Sequence, residues 1–141
     1  ALTENGIPLD HDFILSDVRE EEEFIYSQLE QMKNQPTAWF CVNDGLGFLV
    51  STCLQKMGKK IPEEISICSF DNGPLSQMAT PKITTVDIDL ELFGRKAVEQ
   101  LCWRMENRHE PFMEILLPAK LIPRESTAST LSENEFKGRD R

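Results

Sequence analysis

Few residues in this sequence belong to the types that most metal and catalytic sites use. There are only two histidines, His11 and His109, and the four cysteines include no CxxC pair. A histidine-based metal site, a catalytic triad, a zinc site and a disulfide framework are therefore not expected, and no cofactor is predicted. The four thiols are expected to be free and buried in a reducing cytosol: Cys41, Cys53, Cys68 and Cys102.

Long apolar runs are also absent. The longest extend over about five residues, as at 38–42, whereas a membrane-spanning helix needs about 20. No basic segment followed by an apolar core opens the sequence, so no signal peptide is visible. We therefore predict a cytoplasmic protein without a membrane partner. The sequence begins with Ala1 instead of Met, which favours a processed product or an excised piece.

Basic residues are too few and too scattered for a nucleic-acid surface. The formal net charge is -9, with 15 Lys and Arg against 24 Asp and Glu. Binding to phosphates requires clustered cations, so this chain is not expected to contact DNA directly. The densest basic spots, 56–60 and 137–141, are interpreted as solvated ends.

Short apolar runs alternate with helical stripes, which predicts an α/β protein with a mostly parallel sheet. Strands are predicted at 13–15, 38–42, 65–70 and 83–86, and a broken strand at 113–122. The run at 38–42 is apolar throughout, which is typical of a strand covered on both faces. Helices are predicted at 20–34, 46–57 and 89–105. Asp17 and Glu20 have capping-box spacing before the first, and Asn43 or Asp44 caps the second.

Polar side chains directly follow three of the predicted strands. They are Asp17, Asn43 with Asp44, and Asp71 with Asn72. In open α/β sheets, ligands bind beyond the carboxyl ends of the strands, and carboxylates or carboxamides pair well with hydroxyl groups. A sugar or nucleoside site is one interpretation. The other is that Asp17, Asp44 and Asp71 only cap helices and turns.

Catalysis has no comparable support. No serine, cysteine or histidine lies in a recognisable nucleophile setting, and the two glycines at 44–47 lack the third glycine of a dinucleotide fingerprint. An enzyme is therefore not predicted. Phe48 lies about 190° from the centre of the apolar stripe of its helix, at 100° per residue. It is a candidate anchor for a partner surface, or simply an isolated exposed aromatic residue.

Six segments, in the right order, resemble conserved motifs of one family of bacterial regulators. They are PTAWFCVND at 36–44, IPEEISI at 61–67, FD at 70–71, TPKITTV at 80–86, LFGRKA at 92–97 and RESTA at 124–128. Together they resemble the lac repressor / galactose repressor (LacI/GalR) family of transcription regulators. The match extends over about residues 6–128.

The resemblance implies a fold like that of type I periplasmic binding proteins, with an effector in the cleft between two α/β subdomains. It implies the effector-sensing and dimerisation part of a repressor that responds to a sugar or nucleoside-like metabolite. Partners would be a second copy of the protein and DNA, the latter through a helix-turn-helix headpiece that this chain lacks. The alternative is a periplasmic sugar-binding receptor of a transport system. The ending at 124–128 favours the regulator.

The resemblance also assigns roles to individual residues. Effector-binding positions would be Asp17, Val18, Asn43, Asp44, Asp71, Asn72 and Ile88, and Phe48 would lie in a helix used for subunit contact. The sequence departs from the family pattern at several of these motifs. Ser69 replaces a glycine, Asn72 replaces a second aspartate, and Ile88 stands where many members have a polar contact.

The resemblance further implies an incomplete effector-binding domain at 1–128. Residues at about 1–86 and 119–128 would form the carboxy-terminal subdomain, whereas about 89–117 would pack on an amino-terminal subdomain that this chain lacks. The polar tail at 129–141 is expected to be disordered. We therefore expect the apolar stripe of the helix at 89–105 to be covered by a second copy or by more of a larger protein.

Overall fold

A four-stranded sheet organises the computed structural model, which describes residues 3–129. The strands are β1 (Ala38–Phe40), β2 (Ser66–Phe70), β3 (Thr84–Ile88) and β4 (Ala119–Ile122), in the spatial order β1-β2-β3-β4. The first three are parallel, and β4 is antiparallel to β3. This confirms the predicted α/β class. Nearly all of the predicted tail lies outside the described residues.

Helices connect the strands: α1 (Glu22–Gln31), α2 (Asp44–Lys56), α3 (Pro74–Met78) and α4 (Leu90–Glu106). Asn43 caps α2, because its side chain accepts a hydrogen bond of 2.8 Å from the N–H of Leu46. Asp89 caps α4 in the same way. The predicted capping box at Asp17 and Glu20 is wrong, since α1 begins only at Glu22 and its first turn has no side-chain cap. The short helix α3 was not predicted.

The hydrophobic core lies between one face of the sheet and the helices α1 and α2. Its buried apolar residues are Ile25, Leu29, Trp39, Cys41, Val50, Cys53, Leu54, Ile61, Ile65, Ile67, Ala79 and Ile83. Each large side chain among them stabilises the fold by about 1.5–3 kcal/mol when fully buried. The predicted stripe of α2 is thus the main apolar surface that holds the sheet.

One predicted strand does not form, and the expected cover on both faces of another is wrong. The run at 13–15 begins inside a short 3-10 helix, His11–Phe13, and the extended residue Ile14 has no partner strand within 3–129. An extended segment counts as a strand only when a neighbour accepts its backbone hydrogen bonds. β1 is covered on one face only: Trp39 is buried, but Phe40 and Val42 are 68% and 70% exposed. No helix among the described residues covers that second face.

The helix α4 forms as predicted, but its apolar stripe is not buried. Leu90, Phe93, Val98, Leu101 and Met105 are all more than half exposed. Cys102 is exposed as well, so the prediction of four buried thiols holds for Cys41 and Cys53 but not for Cys102, and Cys68 is half-buried; all four are free. The broken strand predicted at 113–122 is regular only in β4. No helix in the part of the chain that the structure describes is both long and apolar enough to cross a membrane.

Candidate functional site

The carboxyl ends of β1, β2 and β3 meet at one edge of the sheet, because these strands are parallel. Asn43 follows β1, Asp71 and Asn72 follow β2, and Asp87 and Ile88 end β3. We call these five residues the rim. Asp17 is not a member, since no strand precedes it. The edge is the position at which open α/β sheets bind ligands.

Asp71 combines a strained backbone with a carboxylate that has no partner within the described chain. Its backbone lies at φ 106° and that of Asn72 at φ 53°, a left-handed region that non-glycine residues seldom adopt. Its N–H donates to the carbonyl oxygen of Val86 at 2.9 Å, which holds the loop against β3. The side chain is half-buried, and no hydrogen bond or ion pair within residues 3–129 engages its carboxylate. Strained residues of this kind cluster at binding and catalytic sites, at a cost of about 1–3 kcal/mol each.

Asp44 holds the loop after β2 to the body of the fold. It is 4% exposed, and its carboxylate accepts hydrogen bonds from the hydroxyls of Ser69 and Thr85 and from the N–H of Gly73. A buried carboxylate is stable only when such donors replace its water. Asp44 therefore fastens α2 to β2, β3 and the loop. Its predicted contact with an effector stays a prediction.

Asn72 is held by its own side chain. Its Oδ1 accepts a hydrogen bond from the Arg124 guanidinium, and its Nδ2 donates to Oδ1 of Asp87 at 3.1 Å. Its backbone N–H lies 3.3 Å from Oγ1 of Thr85. Both polar atoms of the carboxamide are thus engaged within the protein.

The RESTA segment, residues 124–128, bonds to the amino ends of β2 and β3, at the edge of the sheet opposite the rim. Ser126 is fully buried, and its hydroxyl donates to the carbonyl of Ile67 at 2.6 Å and accepts from the N–H of Thr84 at 2.8 Å. Its backbone bonds Ile67 on one side and Lys82 on the other. The segment therefore binds the two strands together and presents Arg124 to the loop after β2.

Residues 2–127 match the family model of the periplasmic binding protein-like domain. The chain belongs to this family. The regulator of the NTD biosynthesis operon, NtdR, of Bacillus subtilis is 34% identical over 104 residues, which cover 73% of this chain and 32% of that protein. The transcriptional repressor PurR of Vibrio atlanticus is 31% identical over 134 residues, 94% of this chain and 40% of that protein. The chain thus spans about a third to two-fifths of these curated relatives.

Solved structures of regulators share this periplasmic binding protein-like fold. A putative LacI regulator from Bacillus cereus subsp. cytotoxis superimposes with a TM-score of 0.80 at 29% identity, over 92% of this chain and 47% of that one. A LacI family regulator from Enterococcus faecium, solved with bound ribose, gives 0.70 at 30% identity, over 90% and 47%. The predicted relationship to the LacI/GalR family is confirmed: the chain is part of an effector-binding domain, and its relatives favour a regulator over a transport receptor.

The other predicted site residues of this periplasmic binding protein-like domain have mixed surroundings. Asn43 donates from Nδ2 to Oε1 of Glu20 at 2.7 Å, while its Oδ1 caps α2. Asp17 is exposed at φ 55°, and Val18 packs half-buried against the core. Ile88 is half-buried and pairs with Ala119 in β4. Asp17 and Val18 are therefore not joined to the rim by any described hydrogen bond.

Phe48 does not project freely from α2. It is half-buried and packs against the core cluster. The alternative that Phe48 is simply an isolated exposed aromatic residue is thus wrong, whereas its roles as a partner anchor and in subunit contact stay predictions.

Sequence reasoning missed four residues that shape the rim: Glu20, Thr85, Asp87 and Arg124. The rule that found Asp71 would also have found Asp87, because Asp87 directly follows the predicted strand at 83–86. Nothing in the pattern indicated that Arg124, 52 residues after Asn72, would return to this loop.

Three of the four thiols, Cys41, Cys53 and Cys68, are poor nucleophiles. Burial raises the pKa of Cys41 to about 12, and the neighbouring Cys68 adds to this effect. Burial also raises the pKa values of Cys53 and Cys68 above their ordinary value. A thiol that stays protonated is a weak nucleophile and a weak metal ligand. Residues 3–129 contain no group of three or more His, Cys, Asp or Glu that is arranged to hold a metal ion.

Proposed function

We propose that this chain forms the effector-sensing part of a bacterial transcription regulator, with the rim as one wall of the effector cleft. The observation that carries the proposal is the Asp71 carboxylate: half-buried, without an internal partner, and held on a strained backbone at the carboxyl ends of parallel strands. Asp44 and Asn72 anchor the loop on both sides of it. A group fixed in this way is ready to bond a ligand without first reorganising.

The chemistry of the rim favours a neutral effector that carries hydroxyl groups. A carboxylate accepts two or more hydrogen bonds, so Asp71 would bind a pair of hydroxyls of a sugar or a nucleoside. One structural relative was solved with ribose and another as a complex with cellobiose. Asn43 and Ile88 would border the same ligand, and Asp17 and Val18 would lie further out.

The effector would act by binding one conformation of the regulator better than another, since only differential affinity shifts an equilibrium. DNA would be contacted through a headpiece outside this chain, which is consistent with the net charge of -9. We propose a cytoplasmic homodimer without enzymatic activity, and a repressor, as several relatives are named.

We also propose that residues near 89–117 pack on an amino-terminal subdomain, while about 1–86 and 119–128 form the carboxy-terminal one. Support comes from α4, none of whose residues is buried by the described chain. Its five large apolar side chains leave a surface that folded proteins normally cover.

The test is thermal unfolding of the full-length regulator with ribose, cellobiose or adenosine. A ligand present at about 100 times its Kd stabilises the folded state by about 2.7 kcal/mol, which moves Tm by several degrees. We expect at least one of these probes to raise Tm, and Asp71→Asn to remove most of the shift. Glu63→Gln, an exposed carboxylate in the turn before the amino end of β2, opposite the end that Asp71 follows, is the matched control. The proposal fails if no probe shifts the wild type, or if Asp71→Asn and Glu63→Gln respond alike.

A further inference from the structure

The carboxamide of Asn72 lies between two opposite charges. Its Oδ1 accepts from the Arg124 guanidinium, and its Nδ2 donates to the Asp87 carboxylate at 3.1 Å. Each half of the amide thus faces the charge that it can bond. The reverse orientation would direct NH2 at a cation and a carbonyl at an anion, so the network fixes a single orientation.

The Arg124 guanidinium is itself held in place, so the Asn72 carboxamide and its two partners form a fixed group, which we call the Asn72 anchor. The guanidinium also donates to the hydroxyl of Ser76 at 3.1 Å and to the carbonyl of Ile83 at 2.8 Å. No carboxylate of residues 3–129 lies within ion-pair distance of it. Asn72 is therefore an uncharged group that bonds both to the Arg124 guanidinium and to the Asp87 carboxylate, which form no ion pair with each other.

Three consecutive residues fix the loop after β2, each by a different contact. Asp71 donates its N–H to Val86, Gly73 donates its N–H to Asp44, and Asn72 alone uses its side chain. Asn72 follows Asp71 directly and both have positive φ, so the Asn72 anchor and the Asp71 side chain are joined by a single peptide unit.

We propose that Asn72 is a positioning residue: its carboxamide, clamped between Arg124 and Asp87, sets the direction of the Asp71 carboxylate. The inference rests on the proposed function, in which Asp71 bonds the effector. It reassigns Asn72 from contacting the effector to acting through its neighbour. It also explains why the uncharged side chain suits this site: an aspartate would pair with Arg124 but would place a second carboxylate against Asp87.

Two substitutions test the anchor in the full-length regulator. Asn72→Gly removes the carboxamide but keeps a residue that adopts φ 53° freely, so backbone strain does not confuse the result. We expect amide hydrogen exchange at Asp71 to accelerate about tenfold, the size expected for losing a hydrogen bond to a charged group. Affinity for the probe that stabilises the wild type, among ribose, cellobiose and adenosine, should fall by about tenfold. Glu63→Gln should change neither quantity.

The charge swap gives a rescue. Asn72→Asp alone should weaken the affinity for the same probe by about tenfold, because two carboxylates then face each other. The double variant Asn72→Asp/Asp87→Asn restores an amide opposite a carboxylate, with the order reversed. Because Asp87 itself belongs to the rim, the single variant Asp87→Asn is measured beside it. The double variant should bind the probe at least about threefold more tightly than the two single losses predict when they are multiplied.

The outcomes separate this inference from the function on which it rests. If no probe binds the wild type, the proposed function fails, and the exchange rate at Asp71 still decides whether Asn72 holds the loop. If Asn72→Gly leaves that exchange rate unchanged, the positioning role is wrong. The role is equally wrong if a probe binds, and the double variant binds it no more tightly than the two single losses, Asn72→Asp and Asp87→Asn, predict together.

Discussion

The helices α2 and α4 carry the same kind of apolar stripe, but only one of them is covered. Val50, Cys53 and Leu54 of α2 are at most 5% exposed, whereas Leu101 and Met105 of α4 are 61% and 63% exposed. Both helices begin at a side-chain cap and follow the helical period. The difference teaches that periodicity predicts a helix and its apolar face, while burial depends on what else is present to cover that face.

The largest expected difference between the two helices is in core truncation. Leu54→Ala should lower the free energy of unfolding of the 141-residue chain by about 2–5 kcal/mol, because it leaves a cavity in a fully buried site. Leu101→Ala should change it by less than about 0.5 kcal/mol, since its side chain is mostly exposed. Urea unfolding measures both.

Repeating the pair in the full-length protein sharpens the comparison. If the proposed amino-terminal subdomain covers α4, Leu101→Ala becomes costly there and approaches Leu54→Ala. An unchanged small effect would argue against that packing.

The next largest effect on the free energy of unfolding is expected at the carboxylate of Asp44, which holds the loop of the rim. Asp44→Asn should destabilise the chain by about 2–3 kcal/mol, because an amide NH2 then meets donors from Gly73, Ser69 or Thr85. Asp89→Asn in α4 is the matched control: it exchanges one good N-cap for another and should cost almost nothing. Equal losses in both variants would contradict the supporting role of Asp44.

Glycine gives opposite signs in the two helices. Gly47→Ala places a Cβ 3.0 Å from that of Ser69, a packed strand residue, and should cost about 1–3 kcal/mol. Gly94→Ala in α4 meets nothing within 4 Å and should stabilise the chain by about 0.5–1 kcal/mol through better helix propensity. Thermal unfolding distinguishes the signs, and a destabilising Gly94→Ala would reveal a partner close to that face.

The smallest expected difference is in the reactivity of the thiols, and it does not involve the free energy of unfolding. At pH 8, a thiol reagent should label exposed Cys102 quickly but Cys41 only after unfolding, because Cys41 is buried and its pKa is raised to about 12. Mass spectrometry of digested chain locates the label. Rapid labelling of Cys41 in the folded chain would mean that the face of β1 opens easily.

Local patterns predicted the elements of this fold better than their environment. The stripe of α2, the cap at Asn43 and the run that forms β2 follow from side-chain period and capping chemistry alone. The strand expected at 13–15 fails because pairing needs a neighbour that the run itself does not specify. The same limit applies at the rim: the position of Asp71 follows from a strand end, but its anchoring depends on Arg124, which arrives from 52 residues further along.

The Ser126 contacts have a consequence for synthesis of the chain. Ser126 is 59 residues after Ile67 and 42 after Thr84, and it satisfies backbone groups of both. Ribosomes add about 5–20 residues per second. Several seconds would therefore pass between the synthesis of these two strands and the synthesis of Ser126. During that interval, the amino ends of β2 and β3 expose unpaired N–H and C=O groups. A nascent chain stalled before residue 126 should therefore be the form most open to chaperones and to aggregation.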